Sequence, residues 1–125
     1  MMPGKTATVT TTVTEKNTAK TVGSGSLDVF STPMMIALME QAACECLADS
    51  LEPGQTSVGT QINVAHTAAS PLGATISATA TIDNVDGRKI SFTVTASDGA
   101  NEIGNGKHER FIIDAEKFMS KLGQR

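Results

Sequence analysis

The stretch STPMMIALMEQAACECLADS, residues 31–50, decides how the rest of the chain is read. Ala, Leu, Met, Glu and Gln dominate it, and these are strong helix formers. Thr32 is placed to cap the helix, and Pro33 suits its first position, where a missing N–H costs nothing. Pro53–Gly54 cannot continue it, so the helix is expected to end near Asp49 or Ser50. Between Asp28 and Glu45 the only charge is Glu40. A helix this apolar must be covered on most of its faces, and a lone carboxylate in its middle asks for a reason.

The segments around the helix read as strands. Residues 6–14 (TATVTTTVT) are rich in β-branched side chains. Residues 15–26, with Asn17 and the run Gly23-Ser24-Gly25-Ser26, have the composition of a mobile loop. After the helix, strands are expected over 57–68, 74–85, 88–97 and 101–113, then a short amphipathic helix over roughly 114–121. Asp86-Gly87 and Asp98-Gly99 are hairpin signals, and Pro71-Leu72-Gly73 marks a further turn. The order is strand, loop, long apolar helix, four antiparallel strands. A curved antiparallel sheet wrapped around one long central helix satisfies it. This is the α+β hot-dog fold, in one domain over residues 1–125 with residues 1–5 and 122–125 as flexible ends. Hot-dog domains generally dimerise, and a second protomer would complete the burial of the helix.

Composition narrows the function. With 39% hydrophobic and 18% charged residues the 125-residue chain is globular, and with four Phe, no Tyr and no Trp its core must be aliphatic. A net charge of −3, without a basic run or zinc spacing, argues against nucleic acid. Cys44 and Cys46, the two cysteines of the chain, point about 200° apart on a helix and cannot bridge each other. That fits a reducing compartment. No secretory signal and no uncharged apolar run of membrane-spanning length are present, so a cytoplasmic protein without a membrane segment is expected.

Four groups of residues can carry chemistry. Glu40 among Leu38, Met39, Ala37 and Ala43 is either a carboxylate at a solvent-facing part of the helix or a base or nucleophile in a pocket. Burial would raise its pKa unless a cation compensates. Thr32, eight residues earlier, stands at the positive end of the helix dipole, and capping alone would explain it. His66 ends the apolar stripe Val58, Thr60, Ile62, Val64, and is one of two histidines; the plain alternative is a hydrogen-bonded core histidine. Gly59 has the opposite parity, so a bulge is required to bring it to the same pocket. His108-Glu109-Arg110 reads as a solvated strand face or as a polar rim around a pocket, with Arg110 sharing parity with His108. No metal-ligand pair of histidines is present.

Taken together, Thr32-Pro33, Glu40, Val58-Gly59-Thr60, His66, the Pro71-Leu72-Gly73 turn and Gly106-Lys-His-Glu-Arg-Phe111 resemble the hot-dog thioesterases of the fluoroacetyl-CoA thioesterase type, over roughly residues 10–114. The resemblance implies hydrolysis of a short-chain acyl-CoA by a homodimer, without a cofactor. It implies Glu40 as nucleophile or water-activating base and His66 as general acid/base. Thr32 would hydrogen-bond Glu40 or the substrate, Gly59 would lie beside the thioester carbonyl, and Arg110 would lie near the substrate or the dimer interface. The CoA phosphates would meet Lys and Arg at the dimer rim. The family's fluoroacetyl enzyme covers its pocket with an aromatic lid before the helix. Asn17 to Asp28 holds no aromatic residue here, so a more open and less selective pocket is expected. A non-catalytic acyl-CoA-binding module and an enoyl-CoA hydratase are the competing readings on this fold.

Overall fold

The computed structural model describes all 125 residues. Five strands form one antiparallel sheet: β1 (Thr6–Thr12), β2 (Gln55–His66), β3 (Thr75–Asp86), β4 (Lys89–Asp98) and β5 (Asn101–Asp114), in the order β1-β3-β4-β5-β2. The helices are α1 (Ala19–Val22), α2 (Thr32–Leu47) and α3 (Ala115–Gly123), and a 3-10 turn over Ala48–Ser50 ends α2.

Alternation along β3 and β4 builds the floor of the molecule. Ile76, Ala78, Ala80 and Ile82, with Ile90, Phe92, Val94 and Ala96, are buried on the concave face, while Ser and Thr take the other face. The β3–β4 and β4–β5 hairpins turn on two-residue loops whose first residue is Gly87 or Gly99. Each has φ of 61°, as a type II′ turn demands.

Helix α2 lies in this trough. Met35, Leu38, Met39, Ala42, Ala43, Cys46 and Leu47 are buried, a stripe with the i, i+3, i+4, i+7 spacing of one helix face. The helix is thus covered along one stripe within the protomer, not on most faces. Met34, Gln41, Cys44 and Glu45 are exposed, and Glu40 is half-buried at the edge of the stripe. Residues 15–26 are also not wholly loop. Thr18 caps the helical turn α1, and Asn17 binds backbone groups of Thr12 and Thr14. Phe30 forms a bridge back to Thr18. These polar anchors are buried, and composition alone gave no sign of them.

Candidate active site

The N-terminus of α2 is capped by Ser31, whose side chain accepts from the Met34 N–H, and not by Thr32 as the sequence suggested. Thr32 is the first helical residue, so its hydroxyl is released from capping. It lies 2.8 Å from Nδ1 of His66, at the end of β2. The other ring nitrogen, Nε2, is buried and has no hydrogen-bond partner in the chain. Burial pushes the His66 pKa below 6.5, against a smaller upward pull from the nearby Ala68 backbone, so the ring is neutral near pH 7. The pair opens on a cavity of about 260 Å³ lined also by Ala19, Ser24, Val29, Phe30 and residues 67–69.

Glu40 stands elsewhere. Its Oε2 is 3.2 Å from Nη1 of Arg110, whose side chain is only 7% exposed against 41% for Glu40. The cation that a half-buried carboxylate requires is therefore supplied from β5. Arg110 is held on its other side by Ser57, which accepts Nε–H at 2.8 Å on its hydroxyl and Nη2–H at 3.1 Å on its carbonyl. His108 is buried beside them, with Nε2 3.2 Å from Arg110 Nη1. Of the two readings of 108–110 the solvated face holds only for Glu109: His108 and Arg110 point inward, sharing parity with the core residue Ile112.

Gly59 completes this cluster. A Cβ there would come within 2.7 Å of Glu40 Oε2 and 3.3 Å of Arg110 Nη1. The strand register shifts between Gly59 and Gln61, leaving Thr60 as an extra residue. This is the bulge that parity required: Gly59 pairs with Arg110, and His66 with Gly104, on the same face of β5. Glu40, Arg110, Ala37 and Cys44 line an open groove of about 590 Å³.

The candidate residues therefore fall into two separate clusters. Thr32 meets His66; Glu40 meets Gly59 and Arg110. The Thr32–Glu40 hydrogen bond that the resemblance allowed is not made. Eight helical residues separate Thr32 and Glu40 by about 12 Å of rise, and Gly59 and His66 are about 20 Å apart along β2. Ser57 and the inward-facing His108 are contacts of Arg110 that the sequence reading did not assign. The parity that His108 shares with Arg110 was the available signal for it. No group of three or more His, Cys, Asp or Glu is arranged to hold a metal ion.

A curved five-stranded antiparallel sheet packed on one long helix is the architecture of a hot-dog protein. Among solved structures, one of a hot-dog-like protein from Thermanaerovibrio acidaminovorans matches 98% of this chain and 91% of its own, with a TM-score of 0.90 and 27% identity. A mutant of the fluoroacetyl-CoA-specific thioesterase FlK, crystallised with fluoroacetate and CoA, matches 94% of this chain and 99% of its own, with a TM-score of 0.89 and 41% identity. The fluoroacetyl-CoA thioesterase of Streptantibioticus cattleyicolor is 49% identical over 98 residues, 78% of this chain and 70% of that protein. The profile of the family described as "Fluoroacetyl-CoA-specific thioesterase" matches residues 13–116. The chain belongs to this family of thioesterases.

Proposed function

We propose that the chain hydrolyses a short-chain acyl-CoA to the free acid and CoA, with Glu40 as nucleophile or base and His66 as general acid/base. The observation that carries this reading is the state of His66: Nδ1 is engaged by Thr32 and Nε2 is buried and free of partners. A neutral imidazole fixed at one nitrogen and unpaired at the other is suited to proton transfer. Glu40, charge-paired yet reachable from the groove, fits attack on the thioester carbonyl or activation of water. A backbone N–H near Gly59 would stabilise the oxyanion, since the missing Cβ lets substrate approach the strand. Arg110 would act on substrate through its hold on Glu40.

The two clusters would join across a homodimer. β2 is an edge strand of 12 residues, and Ile62 on its concave face is 37% exposed. Such an edge is a template for pairing. Antiparallel pairing of two β2 edges about a two-fold axis at Asn63 would set Ile62 opposite the partner's Val64. It would carry His66 to the partner's Gly59–Thr60 bulge, beside the partner's Glu40. No helix is long and apolar enough to cross a membrane, and a cytoplasmic location is part of this proposal. The cavity at His66 has Ala19, Ser24 and Phe30 in its wall, and residues 17–28 hold no aromatic side chain, which supports a more open and less selective pocket.

The test is release of free CoA thiol from a panel of short acyl-CoAs that includes acetyl-CoA and fluoroacetyl-CoA. Glu40→Gln and His66→Ala are each expected to lower the rate at least about 100-fold. Full activity in both variants would overturn the assignment.

A further inference from the structure

His108 has a place in this arrangement that its burial alone does not explain. It is 3% exposed, stacks on Phe92 at 6.0 Å between ring centroids, and makes two polar contacts. Nδ1 is 2.8 Å from the Gln61 carbonyl, beside the β2 bulge, and Nε2 is 3.2 Å from Arg110 Nη1. A carbonyl only accepts and a guanidinium only donates, so both contacts demand one form of the ring: neutral, with the proton on Nδ1 and the lone pair on Nε2. The same Nη1 donates to Glu40 Oε2 at 3.2 Å. Ser57 takes Nε and Nη2, so His108 and Glu40 share the nitrogen that faces the groove.

We propose that His108 is a positioning residue: its neutral ring, anchored to the bulge at Gln61, fixes the Arg110 guanidinium that holds the Glu40 carboxylate. The inference rests on the reading of Glu40 given above. A proton added at Nε2 would place an N–H against the guanidinium and break the chain of contacts. The charged groups that bear on His108 are Arg110 and Glu109 on its own strand and Glu40 from α2, while β2 presents the Gln61 carbonyl and β4 the Phe92 ring. Burial and Arg110 favour the neutral ring; the Gln61 contact and the two carboxylates oppose them.

Two substitutions separate this role from simple packing. In His108→Gln the side-chain oxygen can reach the place of Nε2 and still accept from Arg110. In His108→Asn the amide matches only Nδ1, so the acceptor is lost. Hydrolysis of acetyl-CoA is expected to fall about 10–100-fold in kcat for His108→Asn, and to stay within about threefold of wild type for His108→Gln, the scale on which misplacement of a reacting group acts. On the acid side the pH profile of kcat/KM should lose one proton of steepness in His108→Gln. Equal loss in both variants, or none in either, would overturn the proposal. Nitrogen-15 NMR of the wild-type histidines at neutral pH gives a reading independent of turnover and of variant folding. His108 should be protonated at Nδ1 and bare at Nε2, and the opposite tautomer or an imidazolium would overturn the proposal. A wild-type protein with this NMR signature but no acyl-CoA turnover would instead overturn the thioesterase assignment of Glu40, and the positioning role with it.

Discussion

At the scale of single residues, Gly59 sets where the Glu40 carboxylate stands. The atom that a new Cβ would meet at 2.7 Å is the far end of a flexible side chain, so Gly59→Ala is expected to move Glu40 rather than strain the fold. Activity should fall about 10–100-fold, while the melting temperature shifts by no more than about 2 °C; kinetics and a thermal melt check both. The two histidines add a pH dependence of stability. Both are held below 6.5 by burial, so below that value the unfolded chain binds more protons than the folded one. Their contribution is complete above pH 6.5 and is lost as pH falls through 6.5 toward the folded values. The urea midpoint should accordingly be lower at about pH 5.5 than at about pH 7.5, and an unchanged or higher midpoint would contradict it. Charge and scarcity singled out Glu40 and His66 as candidates against an aliphatic background, whereas Gly59, of the wrong parity, entered only through the family resemblance. Ser57 was not legible, because nothing in a Thr/Ser-rich strand singles out the serine that faces a buried guanidinium.

At the scale of elements, the start of α2 shows where pattern reading stops. Ser31 and Thr32 are adjacent hydroxyl residues before a proline, and either can cap by composition. Ser31 takes the extended backbone of a cap, with φ of −79° and ψ of 147°, and Thr32 is left for His66. Ser31→Ala should therefore cost about 1 kcal/mol of stability. Thr32→Ala should leave stability nearly unchanged and lower activity; the reverse order in denaturation and rate measurements would restore Thr32 to the cap. The strands were legible to within two residues because polar–apolar alternation and Gly-containing turns are local signals. The turn α1 was not, since Asn17 and Thr18 earn their burial through backbone groups at Thr12, Thr14 and Phe30 that sequence does not place beside them. The β2 bulge was legible only as a requirement: parity demanded an extra residue, and Thr60 is that residue.

At the scale of the whole molecule, the architecture explains both what is buried and what is left open. The 19 buried apolar residues form one cluster, while Gln41, Cys44 and Glu45 on α2 stay exposed and β2 is a free edge. The sequence pointed to a helix covered on most faces; the protomer covers one stripe, and the difference is the surface that the proposed partner would occupy. The separation of Thr32–His66 from Glu40–Arg110 follows from spacing along α2 and β2; what spacing alone did not display is that Arg110, from β5, is the partner of Glu40. The central claim is that a working site takes His66 from one protomer and Glu40 from the other. The direct measurement co-expresses His66→Ala and Glu40→Gln chains with different affinity tags, isolates the mixed dimer, and assays acyl-CoA hydrolysis. A mixed dimer should carry one intact composite site and recover about half the wild-type rate; a rate no greater than that of either parent variant would contradict it.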